Sequence, residues 1–159
     1  MIRIGSGLDV HPFATDERRL VLAGVEVPGA PGLAGHSDAD AVSHAVADAL
    51  LGAMGAGDLG TRFGVDEPET TGADSLQLLG RVVEDVHRSG RRVGNLDCTL
   101  VAQRPRLAPH REQMRRNLAR VLEVGLDAAS VKFTTTDHLG TLGRGEGMAC
   151  WATVLIEDA

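Results

Sequence analysis

Aromatic residues are scarce in this chain: three Phe, one Trp and no Tyr among 159 residues. Proteins that bind single-stranded nucleic acid stack bases on such rings, so their scarcity counts against that function. Net basic charge is missing as well. The formal charge is -6, the wrong sign for a polyanion-binding surface, although one pocket on an acidic protein can still be positive. No apolar run approaches the roughly 20 residues that cross a bilayer, which argues against a membrane role. The N-terminus shows no basic region followed by a long apolar stretch, so no export signal is read and a cytoplasmic location is expected. There are two cysteines, Cys98 in "LDCTLVA" and Cys150 in "GMACWATVLI". Both read as buried, reduced strand residues rather than a disulfide or a metal site. There is no internal repeat, low-complexity segment or linker, and the length suits one domain over 1–159.

What is present reads as alternating strands and helices. Residues 2–10 and 20–27 are strand-like, and the Gly/Pro-rich stretch 28–35 is a loop. Ser37 followed by Asp40 matches a capping box, and apolar residues from Val42 to Ala53 recur at helical spacing, predicting a helix over 38–54. Leu76, Leu79, Val82, Val83 and Val86 mark a second helix closed by Gly90. A strand over 93–102, a third helix over 109–124, a short strand over 131–136 and a long one over 147–157 complete the chain. This order suggests an α/β (α+β) sandwich: a mixed sheet with helices on one face. The other face needs a cover, which a second copy of the chain can supply.

The first polar constellation is "GLDVHPF". Side chains two apart on a strand point the same way, so Asp9 and His11 share a face while Val10 turns to the core. Asp40, His44 and Asp48 follow at intervals of four and stack along one helix stripe. Two imidazoles and one carboxylate with a position left open is the ligand set of a catalytic zinc site. Asp40 or Asp48 is placed to orient the histidine from behind. The alternative is a chance Asp-x-His pair beside a solvated helix face.

A second cluster, "TTTDHLGTLGRGEG" over 134–147, combines hydroxyls, glycine-exposed amides and Asp137. Such groups suit phosphate oxygens and Mg²⁺. Its plain alternative is a glycine-rich hairpin, with Arg144 and Glu146 as a simple ion pair. His36 and Ser37 in "GHSD" lie beside a helix N-terminus, where anions are favoured. The arginines at 104, 106, 111, 115, 116 and 120 read mostly as the wet face of the third helix.

Together "RIGSGLDVHPF", "AGHSDADAVSHAVADALLGAMGAGDLG", "GADS", "GNLDCTLVAQRP", "TTTDHLG" and "GRGEG" resemble the 2-C-methyl-D-erythritol 2,4-cyclodiphosphate synthase family, in the family's order and over nearly the whole chain. The resemblance implies a homotrimer with active sites between subunits. It implies a metal-dependent phosphorus–oxygen lyase that converts 4-diphosphocytidyl-2-C-methyl-D-erythritol 2-phosphate to the cyclic diphosphate plus CMP, in non-mevalonate isoprenoid biosynthesis. Asp9, His11 and His44 would bind Zn²⁺, and Asp137 a second ion, Mg²⁺ or Mn²⁺. His36 and Ser37 would contact a phosphate and Asp58 the erythritol hydroxyls. Residues 102–107, with Ala102, Arg106 and Leu107, would form the cytidine pocket with Thr134 and Thr135. His36, Asp40 and Thr135 count as catalytic. Arg144 and Glu146 would lie near a three-fold axis where family members can accept isoprenoid diphosphates. The chain departs from the commoner pattern in having Asp137 where glutamate is frequent, Arg106 where lysine is frequent, and "FGVDEP" around Asp66. It also lacks an aromatic in "LGTLGRGEG". A zinc-dependent phosphodiesterase using Asp40 or Asp48 as base, and a non-catalytic trimeric module that binds diphosphate metabolites, are the competing readings.

Overall fold

A computed structural model describes residues 1–35, 37–64 and 74–159. Its frame is a four-stranded sheet in the order β1-β6-β4-β5, where β1 is Ile2–Pro12, β4 Arg91–Val101, β5 Ala129–Thr134 and β6 Gly147–Asp158. β1 and β4 both run antiparallel to β6, whereas β4 and β5 are parallel, so the sheet is mixed. β2 (Arg19–Leu22) and β3 (Val25–Pro31) form a separate hairpin. The continuous strand expected over 20–27 is thus two strands. Ala23 and Gly24, with φ of 49° and 68°, turn the chain between them, which is the backbone that a two-residue hairpin loop demands.

The helices cover one face. α1 (Ala41–Met54) packs on β1 and β6, α3 (Ser75–Arg88) on α1 and β4, and α4 (Arg111–Leu122) on β5 and α3. Ten of α1's residues are buried, because the sheet lies on one side of it and α3 on another. Its start differs from the expected capping box. Asp40, not Ser37, is the N-cap, and the helix begins at Ala41. α2 (Leu59–Phe63) and α5 (Gly140–Gly143) are short additions, the latter standing where a hairpin was the plain alternative. Cys98 and Cys150 are free and buried, as their strand contexts suggested.

β1 approaches α1 through Gly5 and Gly7, whose missing side chains let backbone meet backbone. Consequently the apolar residues of β1 lie on the opposite face. Ile4, Leu8 and Val10 are 70 %, 53 % and 55 % exposed, and Trp151 beside them on β6 is 56 % exposed. The expectation that Val10 turns to the core is therefore corrected: Val10 points out of the open face. Asp9 and His11 share a face as expected, and that face is the one under α1. Among the described residues, no helix is long and apolar enough to cross a membrane.

Candidate functional site

The alternation of β1 sends Asp9 and His11 toward α1, and the first turn of α1 brings His44 down to meet them. Asp9 Oδ2 lies 2.9 Å from His11 Nε2 and 3.2 Å from His44 Nδ1. One ligand atom from each of the three residues falls within 4.8 Å of the others. The groups that spacing singled out do converge.

The protonation pattern suits a cation. His11 Nδ1 is 2.7 Å from the Ala34 carbonyl, so this nitrogen carries the proton and donates it. Nε2 is left with a bare lone pair. It is buried and makes no hydrogen bond, despite the nearby Asp9 oxygen. A buried nitrogen without a partner is costly unless something fills the gap. Burial works against the charged form of Asp9, but the two imidazoles, which donate to it once each is protonated, outweigh that cost and hold the carboxyl at about 2. The Asp9 carboxylate in turn raises the pKa of His11 above its ordinary value. Two imidazole nitrogens and one carboxylate oxygen at this separation match the three-protein-ligand set of catalytic zinc sites. The residues fit a divalent cation.

Asp40 does not join them, which corrects its reading as a catalytic or histidine-orienting group. It is fully buried, and its carboxylate accepts from the backbone N–H groups of Ala23, Gly24, Val42 and Ser43 and from the Ser43 hydroxyl. With five donors on two oxygens, it ties the β2–β3 turn to the start of α1 and has nothing left for chemistry. Asp48 is occupied too. Its Oδ1 accepts from Leu59 N at 2.8 Å, and burial raises its pKa. That bond anchors the start of α2, next to Asp58. Asp58 is an exposed N-cap that accepts from the amide and hydroxyl of Thr61, both at 2.7 Å, and these bonds lower its pKa.

A pocket of about 400 Å³ opens at the ends of β4 and β5. Ala102, Arg106, Leu107, Thr134 and Thr135 line it together. Arg111 was read as a wet-face residue, but its guanidinium covers the Phe133 ring at 5.2 Å and contributes to this wall. Asp137 lies just past β5 in the left-handed region, with φ of 50°. Its backbone N–H donates to Thr135 Oγ1, and that hydroxyl lies 3.2 Å from its carboxylate. It is not among the donors gathered around Asp9. Arg144 Nε donates to Glu146 Oε1 at 2.6 Å on the surface. Ser37 turns its hydroxyl inward, 3.2 Å from His44 Nε2, instead of outward to solvent. His36 and Asp66 lie outside the described residues.

Two residues behind His44, Asp38 and Ser75, escaped the sequence reading. Both sat inside the quoted stretches "GHSD" and "GADS", but no spacing rule links a residue before one helix to the first residue of another.

Known proteins place this geometry. The YgbB family model matches residues 2–157. The 2-C-methyl-D-erythritol 2,4-cyclodiphosphate synthase of Geotalea uraniireducens (strain Rf4) is 51 % identical over 156 residues, covering 98 % of this chain and 99 % of that protein. Among solved structures, the bifunctional IspDF of Campylobacter jejuni superposes with a TM-score of 0.95 at 37 % identity, over 100 % of this chain and 43 % of that one. The Plasmodium falciparum IspF complex with CDP gives 0.86 at 31 % identity, over 99 % of this chain and 96 % of that one. Coverage from end to end at this identity, on a fold that gathers Asp9, His11 and His44 at one point, makes the chain a member of the YgbB family, the 2-C-methyl-D-erythritol 2,4-cyclodiphosphate synthases.

Proposed function

We propose that the chain is a metal-dependent lyase that converts 4-diphosphocytidyl-2-C-methyl-D-erythritol 2-phosphate to 2-C-methyl-D-erythritol 2,4-cyclodiphosphate and CMP. The observation that carries this reading is the Asp9–His11–His44 cluster, with its bare His11 Nε2, in a chain 51 % identical to a synthase of that name. Asp9, His11 and His44 hold Zn²⁺, and Asp137 holds Mg²⁺ or Mn²⁺. When bound, such ions neutralise phosphate charge and polarise the phosphorus under attack.

The chemistry asks little of side-chain nucleophiles. An oxygen of the 2-phosphate bonds to the β-phosphorus, and the bond from that phosphorus to the bridging oxygen breaks, so CMP leaves with the electron pair. Both partners belong to one bound molecule, and holding them in line removes much of the entropic barrier. The chain's part is to fix that line. The pocket at the ends of β4 and β5 takes the cytidine, with Ala102 and Leu107 against the ring and Arg106, Thr134 and Thr135 toward the phosphates. Asp58 orients the erythritol hydroxyls, and the segment of His36 and Ser37 meets a phosphate. Thr135 adds a hydroxyl beside Asp137. The saturation of Asp40 and the Leu59 bond of Asp48 weigh against the hydrolytic alternative, which needs a free base to activate water.

The test is product analysis. Substrate incubated with the protein and Mg²⁺ is expected to yield the cyclic diphosphate and CMP in equal amounts. A linear hydrolysis product, or no turnover, would overturn the reading.

The cluster and the pocket stand at the same end of the sheet but on different strands. A homotrimer lets the pocket of one subunit complete the metal centre of the next. The exposed Ile4, Leu8, Val10 and Trp151 support that assembly, since an open apolar face of this kind marks an interface. Arg144 and Glu146 then stand near the axis, where an isoprenoid diphosphate is the matching ligand. Glutamate at both Leu8 and Val10 is expected to leave the secondary structure intact while reducing the solution mass from three chains to one. A double variant that keeps the trimer mass would show that the interface lies elsewhere.

A further inference from the structure

The back of His44 carries a hydrogen-bond chain that neither the metal cluster nor the nucleotide pocket accounts for. Ser75, the first residue of α3, is buried, and its Oγ lies 2.9 Å from His44 Nε2. The Ser75 hydroxyl also contacts Asp38 Oδ1, and the Ser75 N–H donates to Asp38 Oδ2 at 3.1 Å. Asp38 is fixed from the other side, because Asp40 N donates to its Oδ1 at 3.2 Å. Ser37 Oγ, which accepts from Ala39 N, stands 3.2 Å from His44 Nε2 and 3.3 Å from Ser75 Oγ.

Donor counting gives the chain a direction. A carboxylate only accepts, so the Ser75 hydroxyl spends its single proton on Asp38. Its lone pairs then face Ser37 and His44, and the network closes when the Ser37 hydroxyl donates to Ser75 Oγ, 3.3 Å away, and Nε2 carries the proton that it donates. A neutral imidazole has one N–H, which leaves Nδ1 bare where it faces Asp9 Oδ2, 3.2 Å away. The Asp38 carboxylate thus dictates, through one hydroxyl, which nitrogen of His44 points its lone pair into the cluster. His11 gets the same service from the Ala34 carbonyl and presents the opposite nitrogen.

We propose that Asp38 and Ser75 are positioning residues that lock His44 in the Nε2–H tautomer and so present Nδ1 as a metal ligand. The proposal rests on the reading of Asp9, His11 and His44 as a divalent-cation site, and it needs no contact between Asp38 or Ser75 and substrate. Partners of ligating histidines typically change metal affinity by about 10- to 100-fold when removed.

Two measurements on metal-free protein in mildly alkaline buffer test it. The first needs no variant: long-range ¹⁵N–¹H correlation on histidine-labelled protein is expected to show His44 with its proton on Nε2. The Nδ1–H form would overturn the proposal. The second is zinc affinity by competition with a chromophoric chelator, for wild type, Ser75→Ala and Asp38→Asn. Both variants are expected to bind zinc at least about 10-fold more weakly and to show a mixture of His44 tautomers, with melting temperatures close to wild type. Unchanged affinity with an unchanged tautomer in the variants would make Asp38 and Ser75 merely structural and sink the idea. Failure of the wild type to bind zinc would instead sink the cation-site reading beneath it.

Discussion

Replacing Gly7 with alanine is expected to push α1 off β1, and to take both stability and the metal centre with it. A Cβ at Gly7 would lie 2.0 Å from the Ala45 carbonyl oxygen and 2.7 Å from Ala49 N. At Gly5 the Ala49 oxygen would be 1.8 Å away. These are helix backbone atoms, so no side-chain rotation relieves the clash and the helix itself must move. Overpacking of this kind costs about 3 kcal/mol or more, a large share of the roughly 5–15 kcal/mol that holds a domain folded. The melting temperature should fall by about 10 °C, at roughly 2–4 °C per kcal/mol for a domain of this size. The same displacement is handed to His44, the neighbour of Ala45 in α1, while Asp9 and His11 stay on the strand. Metal sites tolerate only about 0.2 Å of error in ligand distance, so zinc binding should be lost even in the fraction that folds. Gly52→Ala is the control. It lies on the same helix, but its nearest neighbour to a new Cβ is Ser6 O at 3.9 Å. Alanine there is expected to stabilise by about 0.5–1 kcal/mol through helix propensity. If both variants melted together, close backbone packing would not be what sets the distance between α1 and β1.

Those glycines also explain what the sequence disclosed and what it concealed. Period-two alternation placed Asp9 and His11 on one side of β1, and period-four spacing placed His44 on one side of α1; both inferences needed only local geometry. Which side of β1 was the core could not be read the same way. Usually the apolar side of a strand is the buried one, and in "IRIGSGLDV" that points to Ile2, Ile4, Leu8 and Val10. Here the buried side is the one with glycines, because α1 comes too close for side chains, and the apolar residues stand on the open face. Asp40 misled for a related reason. It shares the spacing of His44 and Asp48, but it is the cap, outside the helix, and its oxygens are taken by backbone donors. The β2–β3 turn was hidden because Ala23–Gly24 lacks the Asn or Asp that usually flags a tight hairpin. Ser75 and Asp38 meet only in three dimensions.

Replacing His44 with alanine is expected to empty the metal centre while leaving the fold in place. On the proposed reading the imidazole is one of three donors to the cation, and two donors do not hold a divalent ion against dialysis as three do. Metal analysis of the purified variant should fall from one ion per chain to a trace, and turnover should drop by at least about 100-fold if the ion has its proposed role of orienting and neutralising the phosphates. Stability should change little in the metal-free state. Alanine is the better helix former in α1, by some tenths of a kcal/mol, and this gain offsets the lost bond to Ser75. Asp9 retains His11 beside it, so no isolated buried charge results. His87, exposed on α3, supplies the comparison. His87→Ala removes an imidazole of the same chemistry from the same chain and should keep full metal content and rate. The pair therefore separates loss of a ligand from loss of a histidine. Should His44→Ala retain its ion while losing activity, the cation would have to be held elsewhere, and Asp9, His11 and His44 would be no more than a buried ion pair. Zinc added back cannot rescue the variant if the donor is the missing part, whereas a rate restored by millimolar zinc would mean that Asp9 and His11 suffice for the site, with His44 only tightening it.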